Sequence, residues 1–216
     1  MNDTRLRQAV SGKTVLLTGT ARGVTEAVTR HLTRAGAQVL VVAHPSHRPT
    51  GATAVYRADP AIPAAMRGLA QRLLDEHDRL DIVIHAAGTP PRPASCHGVQ
   101  HTINTHYVGP SALIRGLLPA LRSRDPAHLI TVLPAHIRLP LPCRWGGHRA
   151  SKAAFDTWFR GLATKTSGHG LITTTTVYTG LVRADPVALI RDAITLRPRR
   201  IAPWWLRTTG ASRLGR

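Results

Sequence analysis

The chain of 216 residues has little cysteine, few aromatic residues and no long hydrophobic run. Its two cysteines, Cys96 and Cys143, are too few for a disulfide framework and lack zinc-site spacing, so we expect no metal and a reducing compartment. No apolar run approaches the roughly 20 residues that span a bilayer. The polar segment 1–11 lacks the apolar core of a signal peptide. We therefore expect a cytoplasmic protein without membrane contact.

Acidic residues are also scarce, because 11 Asp and Glu stand against 29 Lys and Arg, for a formal charge of +18. Such an excess favours an acidic partner, such as a nucleic acid, an anionic lipid, a phosphorylated cofactor or an acidic carrier protein. The basic residues are scattered, however, and aromatic residues make up only 4% of the chain, which is poor for base stacking. We do not expect nucleic-acid binding, and we interpret most of the charge as a solvated surface.

The sequence instead contains a regular alternation of short apolar runs and amphipathic segments. The apolar runs predict strands at 14–18, 38–43, 53–56, 81–85, 129–133, 171–178 and 200–202. The amphipathic segments predict helices at 24–35, 61–77, 99–122, 147–165 and 186–195. Within the long helix, Gly109-Pro110 predicts a kink.

Strands that alternate with helices predict one α/β domain over residues 1–216: a doubly wound, Rossmann-type parallel sheet of about seven strands with helices on both faces. We interpret 1–12 and 204–216 as flexible or interface tails. In such a fold, ligands bind at the carboxyl ends of the strands.

A glycine-rich turn follows the first predicted strand and opens a helix. Glycines let backbone N–H groups approach a pyrophosphate, and the helix N-terminus adds partial positive charge. The alternative is a tight turn that binds no ligand. The placement predicts dinucleotide contacts from Gly19, Thr20, Arg22, Gly23 and Val24.

From about residue 13 to about residue 203, the chain resembles the short-chain dehydrogenase/reductase family. The turn 18–25 is similar to the family's Thr-Gly-x-x-x-Gly-x-Gly, with Thr25 in place of the last glycine. Because Thr is larger than Gly, we expect the helix to shift or the turn to open. Segment 85–88, His-Ala-Ala-Gly, resembles the Asn-Asn-Ala-Gly beside the cofactor, and 178–182 resembles the Pro-Gly segment after strand six. The resemblance implies further cofactor contacts from Asp59, Ala87, Gly88, Gly180 and Val182.

The second predicted strand ends without an acid, at residues 42–45. Family members that prefer NAD carry an acid there, which binds the ribose 2′-OH. Arg22 stands where similar NADP-dependent enzymes place a phosphate-binding base, and His44 adds positive charge nearby. We therefore expect NADP(H) rather than NAD(H). The alternative for Arg22 is an exposed turn residue.

The resemblance places the chemistry in the pentapeptide 148–152. The family uses a Tyr, a Lys four residues later and a Ser 13 residues before the Tyr. Lys152 matches the Lys, which binds the nicotinamide ribose, but His148 occupies the Tyr position and Ala135 the Ser position. His136 is our candidate to replace the Ser as a hydrogen-bond donor. Asn104 resembles the helix Asn that holds a structural water.

Imidazole is a competent acid or base, with an ordinary pKa of about 6.5 against about 10 for Tyr. We expect the charge of Lys152 to lower the pKa of His148 further, which favours a neutral base near pH 7. His106 lies near Asn104, and we interpret it as facing away from the site. Loss of the catalytic group is the alternative for His148.

Three functions fit these residues. The first is an NADP(H)-dependent enzyme with a remodelled acid–base site for a small or carrier-bound carbonyl or hydroxyl substrate. The second is a non-redox isomerase, dehydratase or cyclase with His148 as base, and the third is an inactive subunit that supports a paralogue. Retention of Lys152 and Asn104 favours an enzyme. The family assembles through the helices predicted at 99–122 and 147–165, so we expect a homo-oligomer or a hetero-oligomer with a paralogue.

Overall fold

The apolar runs of the chain form seven strands of one parallel sheet. The computed structural model describes residues 2–19, 24–86, 96–122, 127–138, 146–167, 172–179 and 185–202. The strands are β1 (Thr14–Thr18), β2 (Gln38–Ala43), β3 (Ala54–Arg57), β4 (Ile82–His85), β5 (Ala127–Pro134), β6 (Ile172–Thr179) and β7 (Arg200–Ile201). They pair in the order β3-β2-β1-β4-β5-β6-β7, and every pair is parallel.

Helices cover both faces of this sheet. They are α1 (Asn2–Val10), α2 (Val24–Arg34), α3 (Pro63–Glu76), α4 (Cys96–Ile103), α5 (Gly109–Arg122), α6 (Gly146–Ser167) and α7 (Pro186–Leu196). A π-helical turn, Asn104–Val108, joins α4 to α5, and a 3-10 helix, Ala135–Arg138, follows β5. None of the helices in these ranges has the length and apolar composition to cross a bilayer.

Side chains alternate between two hydrophobic layers because successive residues of a strand point to opposite faces of the sheet. Leu16, Val83 and Leu129 are aligned across β1, β4 and β5, and they pack under α3, α5 and α6. The residues that follow them on the same three strands pack under α1, α2 and α7. The predicted doubly wound Rossmann-type sheet with helices on both faces is therefore confirmed.

The predicted tail over 1–12 is wrong in part. Residues Asn2–Val10 form α1, and Leu6 and Val10 are buried against α2 and α7. The short helix has two inward apolar side chains in an otherwise polar segment, and only the neighbouring helices provide the surface that buries them. The other predicted tail, 204–216, lies outside the described residues.

The predicted kink in the long helix is present as the π-helical turn. Its closing hydrogen bond runs from Gly109 N to Asn104 O, five residues apart. Pro110 has no N–H to donate to the preceding turn, which weakens the regular α-helical pattern there. A Cβ atom on Gly109 would lie 2.0 Å from the carbonyl oxygen of Pro60. The helix therefore lies directly against the loop between β3 and α3, a contact that only glycine permits.

Candidate active site

A row of polar side chains crosses the sheet near the carboxyl ends of its strands. Thr18, His85, Thr131 and Thr176 are register partners on β1, β4, β5 and β6, and all are buried. The hydroxyl of Thr18 and Nδ1 of His85 are 2.7 Å apart. The His85 ring packs on Phe155 of α6, with centroids 4.8 Å apart. This row forms the floor beneath α6 on the face that carries α5 and α6.

His148 and Lys152 lie one turn apart on α6, directly above that floor. Residues four apart share a helical face, and Phe155 and Phe159 on the same side of α6 anchor that face in the core. His148 is 8% exposed and Lys152 is 4% exposed. The helix therefore buries both polar side chains along with its apolar residues.

Burial sets the protonation of this pair. It lowers the pKa of Lys152 to about 8, because the charged amine loses its hydration. Burial, the Lys152 charge and His136 together lower the pKa of His148 to about 4. At neutral pH, His148 is a neutral imidazole beside an amine that is mostly charged.

Two more imidazoles surround His148. The His106 ring, on the π-helical turn, meets the His148 ring edge to face, with centroids 4.8 Å apart and planes at 80°. The His136 ring, on the 3-10 helix, is nearly parallel to the His148 ring at 6.4 Å. We call His106, His136 and His148 the histidine cluster. Three separate elements thus bring imidazoles together at one end of the sheet.

The members of the cluster and His85 are all held neutral. Burial, followed by the charge of Lys152, lowers the pKa of His106 to about 2 and that of His85 to about 3. Burial, then Arg149 and Lys152, lowers the pKa of His136. Nε2 of His136 is buried and has no hydrogen-bond partner among the described residues. A substrate oxygen would be a suitable partner for that atom.

The structure brings together three of the four residues predicted for catalysis: His148, Lys152 and His136. Ala135 is fully buried at the start of the 3-10 helix and leaves only its neighbour His136 to reach the cluster. The side chain of Asn104 makes its hydrogen bonds away from this group.

The amide of Asn104 anchors the helix to a neighbouring loop. Its Nδ2 donates to the carbonyl oxygen of Ala61 at 3.1 Å, and its Oδ1 accepts from Gln100 at 2.9 Å. The residue of this helix that contacts His148 is His106, so the interpretation that His106 faces away is wrong. Residues two positions apart in a helix point in nearly opposite directions, about 200° apart. Because the Asn104 side chain faces the loop at Ala61, His106 faces the interior and is buried.

Five of the predicted cofactor residues lie in the described part of the chain: Gly19, Val24, His44, Asp59 and Lys152. The others, Thr20, Arg22, Gly23, Ala87, Gly88, Gly180 and Val182, lie outside it. A Cβ on Gly19 would lie 3.0 Å from the Ala86 carbonyl oxygen and 3.3 Å from the Thr25 hydroxyl. Gly19 therefore leaves room for Thr25, which is 1% exposed and whose hydroxyl has no hydrogen-bond partner among the described residues.

The loop after β2 is held by an arginine that we did not predict from the sequence. Arg57, the last residue of β3, donates through Nη1 to the carbonyl oxygens of Pro45 at 2.9 Å and His47 at 3.1 Å. His44 lies in the same loop, with Nε2 3.8 Å from a carboxylate oxygen of Asp59. The sequence signal that could have identified Arg57 was a basic residue at the end of a predicted strand, next to the loop predicted to bind the nucleotide.

Within the described ranges, His, Cys, Asp and Glu side chains form no group of three or more that could hold a metal ion. The polar chemistry of the site therefore rests, in the part described, on imidazoles, hydroxyls and the Lys152 amine.

The fold and site define a doubly wound α/β protein with a histidine cluster and a buried lysine at the carboxyl edge of its sheet, where such folds bind dinucleotides. The chain belongs to the short chain dehydrogenase family, whose model matches residues 13–194. The resemblance noted in the sequence is thereby confirmed.

Individual relatives agree with this assignment. An uncharacterized oxidoreductase of Mycobacterium bovis is 30% identical in an alignment of 232 positions, which covers 90% of this chain and 67% of the relative. A fatty acyl-CoA reductase of Acinetobacter baylyi is 28% identical in an alignment of 230 positions, which covers 91% of this chain and 77% of the relative. A metagenomic short-chain oxidoreductase, solved in complex with NADP, has a similar fold with a TM-score of 0.75, 21% identity and coverage of 90% and 98%.

Proposed function

We propose that this chain is an NADP(H)-dependent oxidoreductase in which His148 exchanges a proton with the oxygen of a carbonyl or hydroxyl substrate. The observation that carries the proposal is the burial of His148 and Lys152 side by side on α6, at the carboxyl edge of the sheet. A chain that had lost its chemistry would have no need to bury a lysine among four imidazoles. Membership of a family with oxidoreductase relatives supports the same conclusion.

The residues suggest a simple division of labour. A bound nicotinamide would supply the two-electron hydride chemistry that interconverts an alcohol and a carbonyl compound. In alcohol oxidation His148, neutral at pH 7, takes the hydroxyl proton and becomes an imidazolium. In the reverse direction the imidazolium of His148 returns its proton to the alkoxide oxygen. Nε2 of His136 is placed to hydrogen-bond the same substrate oxygen.

Burial and the Lys152 charge together set the acidity of His148. Burial and then the nearby positive charge disfavour the imidazolium, so this form releases its proton readily. The family resemblance also assigns Lys152 to the nicotinamide ribose. A buried amine whose pKa is lowered to about 8 still carries its charge over most of the neutral range.

The described residues fit a dinucleotide at this edge. Helix α2 begins at Val24, immediately after the predicted phosphate turn, and its N-terminus favours an anion there. The hydroxyl of Thr25 has no hydrogen-bond partner among the described residues, lies in the first turn of that helix and can act as a donor. Gly19 leaves space for close approach of the turn to the end of β4.

Basic residues at the end of β2 support NADP(H) over NAD(H). Strand β2 ends in Ala43 without an acid, and Arg57 brings a guanidinium group to the loop that follows. Arg57 and His44, with Arg22 where the resemblance places it, would give a 2′-phosphate a positive environment, and the carboxylate of Asp59 near His44 offsets part of that charge. The similar fold that was solved with NADP is consistent with this choice.

A carrier-bound substrate suits the rest of the molecule. One relative is named a fatty acyl-CoA reductase, and a net charge of +18 favours substrates that bring phosphate groups with them. We also propose self-association, or association with a paralogue, through α5 and α6.

The test combines cofactor titration with two variants. We expect the wild type to bind NADPH at least about tenfold more tightly than NADH, as measured by calorimetry. His148→Phe should retain NADPH binding and lose about a hundredfold or more in kcat on secondary alcohols, aldehydes or acyl-CoA thioesters. Lys152→Ala should weaken NADPH binding and lower kcat, and a residual activity should remain.

Each other outcome identifies a different error. Tighter NADH binding would overturn the NADP(H) assignment, and absence of any dinucleotide binding would overturn the redox function. Turnover without a change in nicotinamide absorbance would indicate the non-redox alternative. Full activity in both variants would place the active site elsewhere.

A further inference from the structure

The helix that carries His106 is fastened to the loop between β3 and α3 at two points. Asn104 donates to the carbonyl oxygen of Ala61, and Gly109 lies against the carbonyl oxygen of Pro60. The two contacts lie at the beginning and just beyond the end of the π-helical turn. The turn is therefore held against a fixed loop on the side away from the cluster.

Between these two anchors, the turn presents His106 to the interior. His106 is 2% exposed, and its ring meets the ring of His148 at 80°. A perpendicular ring at 4.8 Å obstructs rotation of its neighbour, because a turning imidazole would sweep into it. The contact also covers one side of His148 that solvent would otherwise reach.

We propose that His106 is a positioning residue, which fixes the orientation of the His148 ring and shields that ring from water. This inference rests on the proposed function, in which His148 exchanges the substrate proton. The anchors Asn104 and Gly109 act through His106, so the loop at 59–62 supports the acid–base group from a distance. No direct contact of His106 with substrate is required.

The charged and titratable groups around His148 come from several elements. Lys152 faces it from α6, His136 from the 3-10 helix and His106 from the π-helical turn. His85 on β4 interacts with Lys152 and His106. Of these, Lys152 carries the charge, while His106 contributes by excluding water. Loss of His106 should therefore raise the pKa of His148 because water reaches the ring. Loss of Lys152 would also raise this pKa, but by removal of the Coulomb repulsion.

The experiment measures the His148 ring directly. In protein labelled with ¹⁵N-histidine, the imidazole signals of His148 are assigned with His148→Phe and followed against pH. We expect His106→Ala to move the pKa of His148 from about 4 towards its ordinary value near 6.5, because water enters beside the ring. An acid limb of kcat/KM should appear at the raised pKa, and kcat should fall about tenfold to a hundredfold while the Kd for NADPH is unchanged.

Two further variants separate positioning from simple core filling. His106→Phe keeps a planar ring in the same place and should keep the low pKa of His148 and most of kcat. His101→Ala, an exposed histidine on α4, is the matched control and should change neither quantity. A His106→Ala protein that is less stable but has an unchanged His148 pKa and no acid limb would overturn the inference.

A milder variant covers the case in which His106→Ala does not fold. Asn104→Ala removes the bond to the Ala61 carbonyl without a cavity at the cluster, and it should shift the His148 pKa upward by a smaller amount. Gln100→Ala removes only the other partner of Asn104 and should leave the pKa in place. Failure of the proposed function would instead show as full activity of His148→Phe, whatever the NMR result.

Discussion

In the proposed function, His148 takes the place of the family's tyrosine and changes the pH range in which proton exchange works. A tyrosine hydroxyl must be driven down from a pKa of about 10 to act as a base at neutral pH. His148 has the opposite bias, because burial and Lys152 lower its pKa to about 4 and leave it unprotonated. At the scale of single residues, the site is therefore better prepared to accept a proton than to donate one.

The pH profile of alcohol oxidation tests this residue-scale conclusion. The active form has neutral His148 and charged Lys152, so kcat/KM should fall above about pH 8 and should show no acid limb at any pH at which the wild type stays folded. In its residual activity, Lys152→Met should lose the alkaline limb and gain an acid limb at higher pH, because the repelling charge is gone. A limb near pH 10 in the wild type, or a Lys152→Met profile without an acid limb, would contradict the assignment of the two groups.

At the scale of elements, the irregular helix 96–122 connects the loop at Pro60 to the histidine cluster. Its π-helical turn contains the buried His106 and ends beside Gly109, which lies against the Pro60 carbonyl. The turn lies next to Pro110, where the α-helical hydrogen bond is already missing. Irregular turns of this kind are frequent at functional sites.

Gly109→Ala probes the docking of this helix. The added methyl group would meet the Pro60 carbonyl oxygen at 2.0 Å, so helix and loop must separate. We expect a loss of about 1–3 kcal/mol in the free energy of unfolding, measured by urea denaturation. Gly68→Ala, on α3 in open space, is the matched control and should gain about 0.5–1 kcal/mol. Equal effects of the two substitutions would show that the close approach is unimportant for stability.

At the scale of the whole molecule, the chain buries an unusual number of neutral imidazoles. His85, His106 and His148 lie at the carboxyl edge of the sheet, while His128 lies on β5 near the opposite edge. Burial, then Arg197 and Lys13, lowers the pKa of His128 to about 3. In the unfolded chain each of these histidines has a pKa near 6.5. Between that value and the lower pKa of the folded chain, the unfolded chain binds a proton that the folded chain does not.

Acid should therefore unfold this protein. Each buried histidine contributes stability that is complete above about pH 6.5 and is lost as the pH falls towards the folded pKa of about 2 to 4. The free energy of unfolding should fall by about 1.4 kcal/mol per pH unit for each group in that window. His128→Gln can keep the hydrogen bond to Thr175 and should remove one group's share of the slope. Urea titrations at about pH 5 and about pH 7 measure this, and equal slopes for variant and wild type would contradict it.

The sequence by itself determined the parts of this protein that depend on local pattern. Short apolar runs specify strands and 3.6-residue periodicity specifies helices, so all seven strands and the five predicted helices lie within three residues of their expected bounds. The spacing of His148 and Lys152 is also local, since residues four apart on a helix must share a face.

Tertiary structure decided what depends on contacts distant in sequence. Leu6 and Val10 make a helix of the expected tail only because α2 and α7 bury them. Arg57 reaches the loop after β2 because β3 pairs with β2, and Asn104 serves as an anchor because Ala61 lies beside it. His106 belongs to the cluster because His148 of α6 lies against it, and Gly109 lies against the Pro60 carbonyl. The local Gly109-Pro110 pair predicts the kink, but periodicity cannot predict these contacts, because each partner lies on another element.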